Sequence, residues 1–172
     1  MKYLFIIFLI VMLAGCAATY QMQTLNETKT FLERGKGVYI SIPKDGSYGN
    51  DVYSNSGRMT ADALKAGFMK YSNKVYLTNE CHGDTCFEKI PIEEYSYYVW
   101  PEILHWEERA TEWLGLPDRI EVKILIFDTG TKQELSSVVL RGKSKWATFG
   151  GDHPQDLLPE PINDYLILMY RN

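Results

Sequence analysis

The stretch IEVKILIFDTGT, residues 120–131, decides the fold of this chain. Apolar residues alternate with charged ones in its first half and continue as an apolar run to Phe127, which predicts a half-buried strand. The DTGT run is typical of a turn, and residues 134–148 predict a second strand. The stretch YSYYVWPEILHW, residues 95–106, predicts a third. Because consecutive strands joined by turns usually pair, we expect an antiparallel meander.

Patterns outside the meander predict strands 37–42 and 74–78, and helices 57–72, 87–95 (short) and 161–170. Ser56 is typical of a helix N-cap and is expected to begin the first helix. The order β-α-β-(α)-β-β-β-α predicts an α+β fold. We expect a mixed sheet of about five strands, a C-terminal antiparallel meander, and helices that cover one face.

Length and composition indicate one globular domain. The chain has 172 residues, of which 45% are hydrophobic and 23% charged. Its net charge of -4 argues against a nucleic-acid partner, because phosphate binding needs a clustered basic surface. Three cysteines are too few for a miniature fold built on disulfides.

A signal peptide is predicted for residues 1–15. Lys2 gives a positive start, and residues 3–13 form an unbroken run of eleven apolar residues. A permanent membrane helix needs about 20 apolar residues, so this run has the length of a secretory signal.

The stretch LAGC, residues 13–16, resembles the lipobox of bacterial lipoproteins. In such sequences small residues give the signal peptidase access, and the cysteine thiol carries a diacylglyceryl group. We therefore expect Cys16 to be lipidated and to anchor the chain in a membrane. The alternative is a plain secreted protein with a chance cysteine at the cleavage site.

Ala17 stands where an aspartate would mimic the retention signal of the inner membrane. This favours an outer-membrane anchor with the domain facing the periplasm. Residues 16–36 are mostly polar and are predicted as the lipidated N-terminus and a tether, whose flexible part would reach about 25 Å. Residues 37–172 are then expected to form a single periplasmic α/β domain.

Two long stretches carry a family resemblance: WPEILHWEERATEW, residues 100–113, and GKSKWATFGGDHPQDLLP, residues 142–159. With the lipobox and the GSYG run at residues 46–49, they resemble an uncharacterised family of Gram-negative envelope lipoproteins. The resemblance implies no established activity, so no catalytic residue is carried over. The order of elements is also similar to small α/β domains of periplasmic lipoproteins that assist secretion and cell-wall machines.

Cys81 and Cys86 flank the residues His-Gly-Asp-Thr. In an oxidising periplasm we expect a structural disulfide that closes a tight loop, worth about 2 kcal/mol. A redox-active pair usually has the spacing C-x-x-C, whereas this pair has four intervening residues. A metal site with His82 would need further ligands.

The stretch WEERATEW, residues 106–113, contains three carboxylates, which raises the hypothesis of a hydrolase. Candidate acid and base groups in and around it are Glu108, Glu112, His105 and His153. Solvated salt bridges are the favoured interpretation of these carboxylates.

Two weaker motifs are set aside. The GKS run at residues 142–144 lacks the earlier glycine of a phosphate-binding loop, since Ser137 occupies that position. The DGSYGND run at residues 45–51 lacks the alternating oxygen ligands of a calcium loop and is expected to be a surface loop.

The predicted function is that of a non-catalytic accessory or scaffold protein without a cofactor, which binds another envelope component or assembles with itself. Aromatic and polar residues form its candidate binding surface: Trp106, Arg109, Trp113, Trp146, Asp152 and His153. The alternatives are a module that binds glycan or peptidoglycan through the loop at residues 44–56 and the aromatic residues, and the hydrolase.

Overall fold

The computed structural model describes residues 18–26, 30–109, 116–144 and 153–171. The strands are β1 (Thr19–Asn26), β2 (Val38–Ser41), β3 (Ser47–Tyr48), β4 (Asp51–Val52), β5 (Val75–Thr78), β6 (Tyr97–Glu107), β7 (Arg119–Asp128) and β8 (Glu134–Lys143). The helices are α1 (Ser56–Phe68) and α2 (Pro159–Met169), with short 3₁₀ helices at Gly83–Glu88 and Pro154–Leu157. The predicted signal peptide and Cys16 lie outside the described residues. No described helix is long and apolar enough to cross a membrane.

Six strands form one mixed sheet in the order β1-β8-β7-β6-β2-β5. Strand β2 runs parallel to β5 and β6, whereas β6–β7, β7–β8 and β1–β8 are antiparallel pairs. Strands β2 and β5 are joined through α1, as parallel neighbours require a crossover. The α+β class, the mixed sheet and the C-terminal meander are therefore confirmed. Strands β3 and β4 pair separately as a hairpin.

Strand β1 corrects the prediction of a tether over residues 16–36. It pairs with β8 along the edge of the sheet, and its Tyr20 and Met22 pack against the core. Leu32 is buried, and its N–H donates to the carbonyl of Met169 at 2.8 Å. The domain thus begins before residue 37. The strand looks like a tether in sequence because its outward positions are polar, as an edge strand allows.

Both helices pack on one face of the sheet, as predicted. Ile124 of β7 lies in the same buried cluster as Leu64 of α1 and Leu166 of α2. Gly67 lets the helices approach, because a Cβ at this position would meet Leu166 at 2.8 Å and Ile162 at 3.0 Å. We call the opposite side of the sheet the outer face.

A smaller cluster covers part of the outer face. Adjacent residues of β6 belong to different clusters, since Val99 lies in the core under the helices and Tyr98 packs with Tyr39, Cys81 and Cys86. This is the alternation expected of a strand that is covered on both sides. The segment that carries the cysteines therefore buries the outer side of β2 and β6.

The start of α1 differs from the prediction that Ser56 is its N-cap. The cap position is Asn55, which has a left-handed φ of 69°, and Ser56 is the first helical residue. The carboxylate of Asp45 accepts hydrogen bonds from the N–H groups of Gly57 at 2.9 Å and Asn55 at 3.1 Å. Ser56 instead accepts a bond from the N–H of Gly46 at 2.8 Å. A carboxylate from the preceding loop therefore caps the helix.

Candidate functional site

Polar residues gather at the end of the sheet where β6 and β8 finish and β1 and β7 begin. Two register rows cross the four strands there: Thr19–Lys143–Arg119–Glu107 and Gln21–Arg141–Glu121–His105. The row between them contains Ile120 and Trp106, which lie in the core. Successive residues of a strand point to opposite faces, so both polar rows lie on the outer face. We call these eight residues the polar end.

Glu107 is a buried carboxylate at the last position of β6, with 2% of its side chain exposed. The Nε of Arg109 donates to its Oε1 at 2.7 Å, and the same guanidinium makes a second contact with that oxygen. The imidazole Nε2 of His105 lies 3.2 Å from the other oxygen. Glu107 is thus held by a cation and an imidazole, and it is not presented to a substrate.

The backbone around Arg109 ties three strand ends together. Its N–H donates to the carboxylate of Asp118 at 2.7 Å. The N–H of Asp118 donates to the hydroxyl of Ser144 at 2.9 Å, and the N–H of Ser144 donates back to the carbonyl of Asp118 at 3.0 Å. Arg109, Asp118 and Ser144 therefore lie side by side, next to the ends of β6 and β8 and the start of β7.

A second pair of carboxylate and imidazole lies beside the first. Oε1 of Glu108 is 3.2 Å from Nδ1 of His153, and both side chains are exposed, at 42% and 57%. The predicted acid and base groups thus form two separate pairs, one of which involves the buried Glu107. Glu112 lies outside the described residues. Among the residues that the structure describes, no group of three or more His, Cys, Asp or Glu side chains could hold a metal ion.

The candidate binding surface needs one correction. Trp106 is 2% exposed and lies in the core under the helices, so it belongs to the packing of the sheet. A bulge between Ile103 and His105 shifts the register of β6 and places Trp106 opposite Ile120. Arg109 is partly exposed, and His153 is accessible. The remaining members of the predicted surface lie outside the described residues: Trp113, Trp146 and Asp152.

The polar end contains an open groove of about 340 Å³. Its charged lining residues are Arg119, Arg141 and Lys143, with one carboxylate, Glu121, and the imidazole of His105. Sequence reasoning missed the three cations, because they come together only through the pairing of β7 with β8. Each cation occupies an outward-facing position of its strand, and this alternation in the sequence could have indicated them.

A second cleft, of about 520 Å³, lies between the loop that follows β2 and the centre of β6. Lys44, Asp45, His82, Trp100 and Glu102 are among its lining residues. The loop at residues 44–56, predicted to be a surface loop, carries the β3–β4 hairpin. The carboxylate of Asp45 accepts hydrogen bonds from backbone N–H groups at the start of α1 and is therefore not free to bind a ligand in the cleft.

The predicted disulfide between Cys81 and Cys86 is confirmed, with Cα atoms 5.0 Å apart. Both cysteines are buried beside Tyr98. The hydroxyl of Tyr98 donates to the carbonyl of Gly83 at 3.2 Å and lies 3.0 Å from the hydroxyl of Ser41. Burial raises the pKa of Tyr98 to about 12. The disulfide loop is thus part of a packed cluster.

A family model described as a domain of unknown function (DUF4823) matches residues 30–168. The chain belongs to this family. The prediction of an uncharacterised family is therefore confirmed, and both long stretches that carried the resemblance fall inside the matched residues. No activity is assigned to the DUF4823 family.

Solved structures with related folds extend the comparison. The PelC dodecamer from Paraburkholderia phytofirmans is similar with a TM-score of 0.62 and 12% identity, over 90% of this chain and 99% of that one. A DUF330 protein from Xanthomonas campestris has a TM-score of 0.51 and 10% identity, over 82% and 87% of the two chains. A lipoprotein from Neisseria meningitidis has a TM-score of 0.45 and 11% identity, over 80% and 99%. The likeness to PelC and to the DUF330 protein is one of fold. The search of curated proteins found no match.

Proposed function

We propose that this DUF4823 protein is a non-catalytic lipoprotein, anchored in the outer membrane through Cys16, that binds another envelope component beside the polar end of its sheet, at Arg109 and His153. One observation carries the proposal. Thr19, three residues after Cys16 in the sequence, is the first residue of β1 and pairs with Lys143 in the polar end. An anchor at Cys16 would therefore be attached at the same end of the sheet as Glu107 and Glu108, which contact Arg109 and His153 of the predicted binding surface.

The burial and pairing of the candidate acid and base groups support a binding role. A general acid or base must reach the substrate, whereas the candidate His105 contacts the carboxylate of Glu107, which is buried and paired with Arg109. Glu108 and His153 form an exposed pair, as surface salt bridges do. Arg109 is partly exposed and His153 is exposed, so a macromolecular partner could contact both residues.

A second copy of this chain is one candidate partner. The PelC structure, which shares the fold, is a dodecamer. A different envelope protein is the other candidate, and the same experiment distinguishes the two.

The test is affinity purification of the tagged protein from detergent-solubilised membranes, with mass spectrometry of the eluate. We expect a stoichiometric partner that is lost from His153→Ala, Trp113→Ala and Trp146→Ala variants. Gln133→Ala is the matched control, because Gln133 is exposed in the turn at the opposite end of the sheet. Elution of the protein alone as a monomer would overturn the proposal of a partner, whereas elution as an oligomer would identify self-assembly.

The lipid anchor has a test of its own. The intact mass of the membrane-extracted protein should show loss of residues 1–15 and addition of acyl groups to Cys16. The Cys16→Ser variant should carry no acyl mass. An unmodified cysteine in the wild-type protein would refute lipid anchoring and leave the secreted alternative.

Glycan binding is a second candidate function, favoured by the cleft beside Trp100. An indole with nearby polar groups such as Lys44 and Glu102 is a common setting for a sugar ring. Purified peptidoglycan should retain the wild-type protein and release a Lys44→Ala/Glu102→Ala variant. Equal retention of the two proteins, or no retention at all, would exclude the cleft as a glycan site.

A further inference from the structure

The charge of the polar end differs from that of the whole chain. The chain has a net charge of -4, yet the polar end combines three cations with two carboxylates, of which only Glu121 lines the groove. The guanidinium of Arg141 donates hydrogen bonds to the carboxylate of Glu121 at 2.7 Å and to the side-chain oxygen of Gln23 at 2.8 Å. Arg119 and Lys143 are exposed, and neither forms an ion pair with another residue that the structure describes. Two cations are thus available to an external anion.

These two cations lie close to the proposed anchor. Lys143 is the direct partner of Thr19 on one side and of Arg119 on the other. Neighbouring strands are about 4.8 Å apart, so the backbone of Arg119 lies about 10 Å from that of Thr19. Three residues of chain between Cys16 and Thr19 span at most about 10 Å. An acylated Cys16 therefore keeps both cations within about 20 Å of the bilayer.

We propose that Arg119 and Lys143 bind the phosphate groups of anionic phospholipids in the leaflet that holds the anchor. The groove between them would then lie against the headgroups, and the outer face of the polar end would face the membrane. The inference rests on the proposed acylation of Cys16 and adds an orientation that an anchor alone does not give. Electrostatic attraction to the headgroups acts over about one Debye length, roughly 8–10 Å, so it depends on this short connection.

The experiment uses the acylated protein, reconstituted into vesicles of phosphatidylcholine or of phosphatidylcholine with 30% phosphatidylglycerol. A water-soluble succinimidyl ester acetylates accessible lysines, and peptide mass spectrometry gives the rate at each position. We expect acetylation of Lys143 to be at least threefold slower on the anionic vesicles at low salt. Lys132 is the internal control, because it is exposed in the turn at the other end of the sheet.

Variants and salt identify the cause of the protection. Arg119→Gln should reduce the protection of Lys143, whereas Lys132→Gln should leave it unchanged, and 0.5 M NaCl should abolish it. Equal acetylation of Lys143 on both vesicles, with acyl groups present on Cys16, would overturn the inference and leave the anchor intact. A protein without acyl groups would overturn the proposed anchor and, with it, this orientation.

Discussion

Arg109 closes over the carboxylate of Glu107 at the end of β6, with its Nε 2.7 Å from Oε1 of a side chain that is 2% exposed. The two residues are two positions apart on an extended chain, so their side chains point to the same face. Trp106, the residue of β6 that precedes Glu107, points into the core. The WEER stretch, residues 106–109, therefore contributes mainly to the stability of the fold.

Arg109→Ala should destabilise the fold strongly, because it leaves the buried carboxylate of Glu107 without its cation. Loss of one partner of a buried ion pair costs about 3–5 kcal/mol in free energy of unfolding. Glu107→Gln should cost less, and the double variant should cost less than the sum of the two single variants. Urea unfolding measures all three.

The matched control is Arg58→Ala, which removes the exposed pair between Arg58 and Asp62 on α1. That pair spans one helical turn and is worth about 0.5 kcal/mol or less. If Arg109→Ala cost no more than Arg58→Ala, the carboxylate of Glu107 would not be buried as the structure has it.

Removal of the disulfide should lower stability by a moderate amount. The bond between Cys81 and Cys86 closes a short loop, and loop-closure entropy assigns it about 2 kcal/mol. The Cys81→Ala/Cys86→Ala variant should show this loss in urea unfolding. Reductant should destabilise the wild-type protein by a similar amount and leave the double variant unchanged. An effect of reductant on the double variant would point to a different cause.

The meander could be predicted from the sequence because its signal is local. Apolar and charged residues alternate through the first half of β7, and the turn after Phe127 has typical turn residues. Edge strand β1 was missed, because its polar outward residues resemble those of a linker. The burial of Trp106 was missed as well. Pro101 suggests an edge strand or a bulge, but the sequence does not show that the register shifts between Ile103 and His105.

The site could be predicted only in part, because its contacts join residues that are far apart in sequence. His153 and Glu108 meet across 45 positions, and no local pattern indicates that contact. The pairing of Lys143 with Arg119 depends on the register between β7 and β8. The disulfide was predictable, since its two cysteines are five positions apart.

Asp45→Ala should destabilise the start of α1. The carboxylate of Asp45 accepts two backbone N–H groups at the helix start, and loss of a capping side chain costs about 1 kcal/mol. Asp45→Asn should retain part of the effect, because its amide oxygen accepts hydrogen bonds without the charge. Thermal unfolding followed by circular dichroism measures the change.

Lys44→Ala is the neighbouring control for Asp45→Ala, because Lys44 is exposed and makes no hydrogen bond or ion pair with another described residue. It should change the free energy of unfolding by less than about 0.5 kcal/mol. Equal effects of the two substitutions would show that Asp45 does not cap the helix.

Stability should fall at alkaline pH because of buried tyrosines. Burial raises the pKa of Tyr98 to about 12 and also raises the pKa of Tyr165 above its usual value of 10.0. The folded state therefore holds these phenol protons more tightly than the unfolded state. The resulting stabilisation is complete below pH 10 and is lost as the pH rises from 10 towards 12.

Urea unfolding at pH 8, 10 and 11 tests this expectation. The wild-type protein should lose stability between pH 10 and 11, and Tyr98→Phe should lose less over the same interval, because one of the titrating groups is absent. At pH 8 the same variant should be about 1 kcal/mol less stable than wild type, since the hydrogen bond to the carbonyl of Gly83 is gone. Parallel pH profiles for the two proteins would mean that Tyr98 ionises in the folded state as readily as in the unfolded chain, and that its hydroxyl is therefore open to solvent.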